Sequence, residues 1–594
     1  MSAHELITEH LDLWTQAVTK KSTAGRGSNG KVELTGIKKL RELILELAVR
    51  GKLVEQDPDD EPASVLLEQV ANEKIQLAKV GQIKKPQKSP PILPEDIPFN
   101  IPKGWHWVRL GELTKKIGSG ATPRGGKSAY VESGVPFLRS QNIWNDGLNL
   151  QDVAYIPFET HERMSNTHVF PSDILLNITG ASLGRCAVVP VGLETANVSQ
   201  HVTIIRTIDP LSRLYLHYLM LSPYVQSLIW GRQVGMAREG LSKKVLEQFE
   251  IPLPSLAEQH RIVQKVDELM ALCDRLEQHT SDQLGAHETL VDTLLGTLTQ
   301  SANATELADN WARLAEHFDT LFTTEQSIDK LKQTILQLAV TGQLVEQDAG
   351  DESVNTLLDR LSSEKRRLIK EKVLKKPKAL EPLDTSKFSA IPEHWSWVNL
   401  GDVIGIMDAG WSPACPSQPA ELGNWGVLKT TAVQVMQYLE FENKKLPANK
   451  APKEQYEVHT GDILITRAGP KNRVGISCVI KETRDKLMIS DKIIRFHLIE
   501  AGLSEEYICL CLNAGETYGY LEQAKSGMAE SQMNISQDKL KAAPIPLCPA
   551  NEQHRIVQKV DELMALCDHL KQHLNQASNT RCQLAGAVVE GALN

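Results

Sequence analysis

The sequence predicts a mixed α/β protein with a pseudo-two-fold internal repeat, in which two α/β globules alternate with two long-helix regions. Two observations support this prediction. The stretch EQHRIVQKVDELMALCD at Glu258–Asp274 recurs unchanged at Glu552–Asp568. A second stretch, at Leu40–Asp57, recurs with substitutions at Leu331–Asp348. Because self-similarity at a fixed spacing marks duplicated structural units, the same architecture is expected twice.

Each copy of the unchanged stretch begins a long amphipathic helix. Apolar residues recur there every three or four positions, and this spacing is typical of helices that pack as a coiled coil. Identical polar positions such as Gln259 are expected to face outward. The predicted seam includes Ile262, Leu290 and Leu294 in the first copy and Ile556, Leu584 and Val588 in the second.

The segment boundaries follow from the repeats, from glycines that end helices at positions 51 and 342, and from Lys-Pro linkers after positions 83 and 374. The N-terminal extension is predicted to have no counterpart in the second half. The predicted segments are an extension and linker (1–36), a helical region (37–85), a first globule (101–255), a long helix (256–300), a second helical region (328–377), a second globule (391–549) and a second long helix (550–594).

Composition excludes several classes of protein. The 594 residues are 41% hydrophobic and 23% charged, without an apolar run that could span a bilayer. Nine cysteines occur without a Cys-x-x-Cys pair, which favours a reducing cytoplasm over a disulfide framework. The first globule (101–250) has 15 Lys and Arg against 12 Asp and Glu, a balance of +3, and the second (391–544) has 16 against 19, a balance of −3. Neither balance indicates nucleic-acid binding by itself.

Reaction motifs are absent from the sequence, so no catalytic, metal-binding or cofactor-binding residues are expected. The nearest match is GATPRGGKS at Gly120–Ser128, but five residues separate its first glycine from Gly-Lys-Ser. A phosphate-binding loop has four, because its backbone N–H groups must converge on the phosphate. A nucleoside-triphosphate-binding enzyme and a protein-binding scaffold are the alternative interpretations.

Two globules that share a frame and differ in their loops are suited to reading two different targets. A helix of about 42 residues would be roughly 63 Å long. If the target is duplex DNA, two such helices would fix the number of base pairs between two half-sites. Arg, Asn and Gln match the hydrogen-bonding edges of bases. The candidate DNA contacts in the divergent loops are Arg124, Lys127, Arg139, Ser140, Gln141, Asn142, Arg232 and Arg238 in the first globule, and Lys429, Thr430, Gln434, Arg467, Lys471, Arg473 and Lys525 in the second.

Taken together, these features resemble the specificity (S, or HsdS) subunit of type I restriction-modification enzymes. The resemblance covers nearly the whole chain from about Leu40. Its marks are the long-helix starts at Glu258 and Glu552, the Ile-Pro-Leu approaches at Ile251 and Ile545, the Pro-x-x-Trp-x-Trp-Val-x-Leu-Gly stretches at Pro102 and Pro392, and the duplication itself.

The resemblance implies two target-recognition domains, each reading one half of a split, asymmetric site on double-stranded DNA, joined by an antiparallel coiled coil. It implies that this chain is not catalytic and has no cofactor of its own. Two modification (M) subunits would supply S-adenosylmethionine-dependent adenine methylation, and restriction (R) subunits would supply ATP- and Mg-dependent translocation and cleavage. The helical regions would dock the M subunits, and no membrane is expected to be involved.

Overall fold

The structure, a computed structural model, describes residues 7–20, 32–86, 89–209, 211–233, 240–301, 304–376 and 380–593. The chain divides into two compact units, one formed by Met1–Leu284 with Ala577–Asn594 and the other by Gly285–Gln576. Both divisions fall inside a long helix. Each unit therefore contains one globule, one helical region and parts of both long helices.

Helices form the frame of the first unit and flank its globule. The helices that begin in this unit are α1 (Leu11–Gln16), α2 (Thr35–Val49), α3 (Ala63–Lys79), α4 (Phe158–Arg163), α5 (Arg213–Leu221), α6 (Pro223–Gly231), α7 (Lys243–Glu247) and the long helix α8 (Leu256–Thr299).

The strands of the first unit are short, with glycine, proline and polar residues between them. They are β1 (Thr19–Lys20), β2 (Val32–Glu33), β3 (His106–Arg109), β4 (Thr114–Ser119), β5 (Val135–Leu138), β6 (Ile143–Trp144), β7 (Gly147–Leu148), β8 (Ala154–Ile156), β9 (His168–Val169), β10 (Ile174–Asn177), β11 (Cys186–Val188), β12 (Ala196–Val198), β13 (Val202–Thr207) and β14 (Glu250–Leu253). One sheet has the antiparallel order β11-β10-β13-β4, a second has the mixed order β8-β5-β12-β9, and β3 pairs with β14.

The second unit repeats this frame of helices. The helices that begin in it are α9 (Ala304–Glu316), α10 (Phe318–Leu321), α11 (Glu325–Val340), α12 (Val354–Lys370), α13 (Leu400–Val403), α14 (Glu505–Asn513), α15 (Gly515–Ala524), α16 (Gln537–Lys541) and the long helix α17 (Ala550–Leu593).

The strands of the second unit repeat the first topology with changes. They are β15 (Ser396–Asn399), β16 (Ile404–Ala409), β17 (Gly426–Leu428), β18 (Val433–Gln434), β19 (Gln437–Tyr438), β20 (Asn443–Lys445), β21 (Ile463–Thr466), β22 (Ala468–Gly469), β23 (Ser477–Val479), β24 (Leu487–Met488), β25 (Ile493–Leu498), β26 (Met533–Asn534) and β27 (Pro544–Leu547). The sheet β16-β25-β21-β23 matches β4-β13-β10-β11, and β15 pairs with β27 as β3 pairs with β14. The predicted mixed α/β repeat is confirmed.

Each unit packs the beginning of one long helix with the end of the other. In the first unit, the beginning of α8, with Cys273, and the end of α17, with Ala585, belong to one apolar core. In the second unit, the end of α8, with Leu298, and the beginning of α17, with Cys567, belong to one core. Each core therefore holds opposite ends of the two helices.

A joint between the helical region, the globule and the long helix fixes the frame of the first unit. Helix α2 ends at Val49, and the turn after it contains Gly51, whose φ of 67° is accessible to glycine. Pro102 and Trp105 pack against this glycine. The Trp105 indole donates to Glu258 Oε2 at 2.7 Å, and Gln56 donates to the other carboxylate oxygen. Burial raises the pKa of Glu258, while these two donors oppose the rise. We call Gly51, Pro102, Trp105 and Glu258 the first frame joint.

The second unit builds the same joint from the repeated residues. Gly342 has a φ of 74° and lies under Pro392 and Trp395. The Trp395 indole donates to Glu552 Oε2 at 3.0 Å, and His394 Nε2 lies 3.0 Å from the same oxygen. Gly342, Pro392, Trp395 and Glu552 form the second frame joint. The predicted helix ends at glycines 51 and 342 are both present.

Gln259 does not face outward as the sequence predicted. It is 0% exposed, its side-chain carbonyl accepts the Ser212 N–H at 3.1 Å, and its amide donates to the Pro254 carbonyl at 3.1 Å. The repeated Gln553 is also 0% exposed and binds the Ser504 N–H at 2.9 Å. These glutamines are identical because each satisfies buried backbone groups in its own globule, so their identity is structural.

The predicted apolar seam is buried in the first turns of each long helix. Farther along, the heptad positions are no longer the buried ones. Leu290 is 50% exposed and Leu584, at the same position of the repeat, is 53% exposed. Along α8, the buried and half-buried positions on one side of the helix recur from Ile262 to Leu298 in ten intervals that cover 36 residues. The mean interval is therefore 3.6 residues. This is the period of an ordinary α-helix, which drifts away from a 3.5-residue seam within a few turns.

The predicted N-terminal extension does have a counterpart in the second unit. The sequence Glu-His-Leu-Asp at 9–12 corresponds to Glu-His-Phe-Asp at 316–319, and each is followed by a short helical turn. The buried apolar residues Ile7 and Trp14 correspond to Leu314 and Leu321. The match was missed because the first copy has 16 more residues before α2, so the repeat changes its offset there. Part of that insertion, 21–31, lies outside the described residues.

Candidate nucleic-acid interface

Three loops and a turn of the first globule meet at one end of its sheets. Loop 120–134 is bound to the end of β12, where the Ala121 N–H donates to Val198 O at 3.1 Å. Loops 139–147 and 178–184 are linked through Asn177 Nδ2, which donates to Ser140 O at 2.8 Å. Thr179 Oγ1 and His201 Nδ1 are hydrogen-bonded at 2.7 Å, and Thr179 also forms a β-bridge with Gly240. We call these loops and the 199–201 turn the first loop face.

The second globule brings the equivalent loops together. The Trp411 N–H donates to Ile489 O at 3.1 Å, as Ala121 does to Val198. The Arg467 N–H donates to Lys492 O at 2.8 Å, and the Ile535 N–H donates to Arg467 O at 2.9 Å. The second loop face is formed by the loops 410–425, 429–437, 467–475, 490–492 and 525–534. Apart from Lys525, discussed below, the sequence-predicted candidates whose side chains the structure describes fall on the loop face of their globule or directly beside it.

Asn142 shapes the first loop face from inside. Its side chain is 2% exposed, its carbonyl accepts the Arg139 N–H at 2.9 Å, and its amide donates to Asn149 O at 2.9 Å. Both ends of the amide are thus used by the turn. We therefore leave Asn142 out of the proposed base contacts.

The other residues of this turn are more open. Gln141 is exposed, Ser140 is half-buried, and half-buried Arg139 donates from Nη2 to Asp152 O at 3.1 Å. Arg124 is exposed in loop 120–134. These side chains remain proposed DNA contacts.

Arg232 is held by a buried carboxylate rather than free in the loop. Its Nη1 lies 2.7 Å from Glu250 Oε2, and Glu250 is also paired with buried Arg109. Because a buried carboxylate must be neutralised, Arg232 belongs to this charge cluster at the base of the loop. The Lys127 side chain and the whole of Arg238 lie outside the described residues.

In the second globule, Arg473 pins the turn that carries Thr430 and Gln434. Its guanidinium donates to Gln434 Oε1 and Thr430 O, both at 2.9 Å, and to Val433 O at 2.7 Å. Burial lowers the pKa of Arg473. Arg473 therefore orders the turn, and Thr430 presents its side chain from it.

Lys525 is buried, contrary to its expected place on the surface. Its side chain is 2% exposed, and Nζ donates to Lys471 O at 2.8 Å and to Glu522. Lys525 therefore ties two loops together, and we leave it out of the proposed contacts. Lys471 is exposed, and its Nζ lies 3.4 Å from a carboxylate oxygen of Glu530, which is also exposed.

The last two candidates lie on separate loops. Lys429 Nζ is 3.5 Å from Glu442, and both side chains are partly exposed. Arg467 is half-buried between the 490–492 turn and β26. Both remain proposed contacts.

A residue that the sequence reasoning missed lies on the first loop face. The Arg185 guanidinium carbon is 3.9 Å from the ring centroid of Trp144, which is 41% exposed. Trp144 Nε1 donates to Gln141 O at 2.9 Å. The available signal was the repeated Gly184 and Gly475, since Arg185 directly follows the first of them.

No metal site is assembled in the described part of the chain. No group of three or more His, Cys, Asp or Glu residues there could hold a metal ion. In the Gly120–Ser128 loop, Gly120 is pressed against the Val198 backbone, which a side chain would overlap. The loop glycine thus serves packing on β12. Along the described ranges, every helix is too short or too polar to traverse a lipid bilayer.

Comparison with known proteins identifies the family. The family described as "Type I restriction modification DNA specificity domain" matches residues 102–286 and 392–578, one match for each copy of the repeat. The chain is 49% identical to the type I restriction enzyme EcoEI specificity subunit of Escherichia coli, over all of both chains. It is 36% identical to the EcoAI specificity subunit of the same species, again over all of both chains.

A solved structure of the HsdS subunit from Thermoanaerobacter tengcongensis aligns with 84% of this chain and 98% of its own, at 20% identity and a TM-score of 0.40. The resemblance stated from the sequence is confirmed by the family match and the two full-length relatives. The chain belongs to the type I restriction enzyme specificity subunits, the DNA-recognition component of those enzymes, which is not itself catalytic.

Proposed function

We propose that each globule reads one half of a bipartite, asymmetric DNA site. The observation that carries this proposal is the contrast between repeated frame joints and unlike loop faces. Both joints use the same tryptophan and glutamate, whereas the equivalent loop positions 144 and 434 carry Trp and Gln. Two readers with one scaffold and different surface chemistry are suited to two different half-sites.

A domain exchange tests this proposal. Residues 101–250 are replaced by the corresponding segment of a relative with a different target, and methylated adenines are mapped by sequencing in cells that also carry the modification subunit. One half of the methylated site should change while the other half stays the same. The reciprocal exchange of 391–544 is the matched control and should change only the other half. Loss or change of both halves in either exchange contradicts the proposal.

The long helices are proposed to set the number of base pairs between the half-sites. Each unit holds the beginning of one helix and the end of the other, which supports this, because a change in length can be matched in both helices. Four residues inserted after Leu284 and four after Gln576 lengthen each helix by about 6 Å, which corresponds to about two base pairs of duplex. The methylated site should gain about two base pairs in its spacer and keep both half-sites. An unchanged spacer in a chain that still directs methylation contradicts the role of the helices.

The proposed partners are double-stranded DNA, two M subunits and R subunits. The helical regions α2–α3 and α11–α12 occur once in each unit, so each is proposed to dock one M subunit. S-adenosylmethionine, ATP and Mg would act on those partners, and the complex would work in the cytoplasm. The mass of the complex purified with M subunits tests the stoichiometry, and one M per chain at saturation contradicts it.

A further inference from the structure

Trp144 and Arg185 form a stacked pair on the first loop face. The indole N–H is already donated to Gln141 O at 2.9 Å, and this bond fixes the ring beside the turn of the β6–β7 hairpin. The Arg185 guanidinium lies over the ring, 3.9 Å from its centroid. Cation–π stacking of this kind holds a guanidinium flat against the aromatic face.

The stack leaves the donors of Arg185 available. Within the described residues, no group accepts a hydrogen bond from its guanidinium, and its side chain is only half-buried. A guanidinium that lies flat on a ring keeps its N–H groups at its rim. That fork matches the O6 and N7 acceptors of guanine in the major groove. Because the tryptophan N–H is spent, Trp144 can offer the DNA only an apolar surface.

The second loop face has no such pair at the equivalent positions. Gln434 occupies the place of Trp144 and makes the same bond, from its amide to Thr431 O at 2.7 Å. Ile476 occupies the place of Arg185, since its carbonyl accepts from the Thr466 N–H as that of Arg185 does from the Asn177 N–H. The nearby Arg473 guanidinium donates its hydrogen bonds to the turn at 430–434. The stacked arginine thus distinguishes the first reader from the second.

We propose that Arg185, oriented by its stack on Trp144, reads a guanine in the half-site of the first recognition domain. This inference rests on the proposed function and names one residue and one base within it. Trp144 acts as a positioning residue that aims the guanidinium.

Arg185→Lys is the direct test, because lysine keeps the charge but lacks the planar, forked guanidinium. The full chain with its modification subunits is assayed for binding and methylation on duplexes that carry each of the four base pairs at every position of the half-site. Preference for guanine at one position should fall roughly tenfold to hundredfold. The other positions and the other half-site should keep their preferences.

Trp144 is tested by two substitutions that separate stacking from the indole N–H. Trp144→Gln introduces the side chain found at the equivalent place in the second globule and should weaken the preference at the same position as Arg185→Lys. Trp144→Phe keeps an aromatic face and should restore most of that preference. Arg163→Lys, at an exposed arginine of α4 outside the loop face, is the matched control and should leave all preferences unchanged.

The contrary outcomes are distinct. A uniform loss of affinity over all sequences would make Arg185 a phosphate contact and overturn the inference. Unchanged preferences, or a half-site without guanine, would overturn it as well. A melting curve shows whether Arg185→Lys destabilises the chain. If it does, the base preferences of Trp144→Gln, measured in the same assay, test the inference instead. The exchange of residues 101–250 is independent of these results, so its failure would mark a failure of the proposed function instead.

Discussion

At the frame joints, Trp105 and Trp395 donate to Glu258 and Glu552 at 2.7 and 3.0 Å, on glycines with nearly equal backbone angles. At the loop faces, one hydrogen bond to the carbonyl three residues back is kept, but its donor is Trp144 in one globule and Gln434 in the other. The two frame joints therefore have the same residue types and the same contacts. The loop face keeps a backbone shape and changes the chemistry that it presents.

This difference separates two physical constraints. A buried carboxylate needs its donors, and a glycine in the left-handed region admits no other residue without strain, so few sequences satisfy the joint. On a loop face, the exposed side chains that hold no loop bond are free to differ, so many residues are compatible with the same backbone. The predictions below test whether the joints are energetically equivalent and where that equivalence ends.

Removal of the joint tryptophan should have the largest effect. Trp105→Ala leaves a cavity and withdraws a donor from buried Glu258, so the first unit should lose about 3–5 kcal/mol of its free energy of unfolding. Trp395→Ala should lower the second unit by a similar amount. Urea titration with hydrogen exchange resolved by peptide assigns each loss to its unit. Trp230→Ala, at an exposed tryptophan, is the control, and an equal loss there would show that burial at the joint is not the cause.

Substitution of the glycines in the frame joints should lower the free energy of unfolding by less than removal of the tryptophans does. In Gly51→Ala and Gly342→Ala, a Cβ enters the left-handed region and overlaps the Pro102 or Pro392 ring. Each should destabilise its unit by about 1–3 kcal/mol. Gly81→Ala meets no neighbouring atom at a φ of 76° and isolates the cost of the backbone angle. If Gly51→Ala lowers the free energy of unfolding no more than Gly81→Ala does, packing of the proline ring against Gly51 does not contribute to stability as described.

Much of the frame was predictable from the sequence because its determinants are local. The glycine helix ends, the Lys-Pro boundaries and the unchanged 17-residue stretch each depend on residues close together in the chain. The seam beyond Thr280 was not predictable from heptads, since the partners of α8 change along its length. Leu290 and Leu584 are apolar residues at heptad positions that the ordinary helical period rotates away from the cores.

The loop faces were predictable only as regions. Residue type alone predicted Asn142, Lys525 and Arg232 as DNA contacts. In the structure, however, the buried side chains of Asn142 and Lys525 donate to backbone carbonyls, and Arg232 pairs with the buried Glu250. Arg185 was missed because its stack on Trp144 joins residues 41 positions apart. Such pairings are set by the tertiary fold, which residue spacing does not encode.

Acid should remove one ion pair from each frame. The Arg261 guanidinium beside Asp60 holds the pKa of that carboxyl below its usual range, and Arg555 does the same for Asp351. Because the folded pKa is depressed, each pair stabilises its unit above the ordinary aspartate pKa of about 3.9 and loses this contribution as the pH falls through the folded value. For such partly exposed pairs the contribution is about 1 kcal/mol.

Asp60→Asn and Asp351→Asn measure this contribution. Each variant should be less stable than the native chain at pH 7, and the difference should shrink as the pH falls below about 4. Chemical denaturation of both proteins over that pH range gives the comparison. Asp59→Asn, at the exposed neighbouring position, is the control. A difference that is constant with pH would show that the two carboxylates are not linked to folding in this way.

The smallest effect is expected at the two leucines where the long helices leave the heptad phase. Leu290→Gln and Leu584→Gln should each change the free energy of unfolding by less than about 0.5 kcal/mol, because both side chains are half exposed and glutamine suits a helix. Leu298→Ala, at a fully buried position of α8, should cost about 2–5 kcal/mol. Urea titration compares the three variants. If Leu290→Gln costs as much as Leu298→Ala, the helices follow the heptad seam after all, and the phase drift described for α8 is wrong.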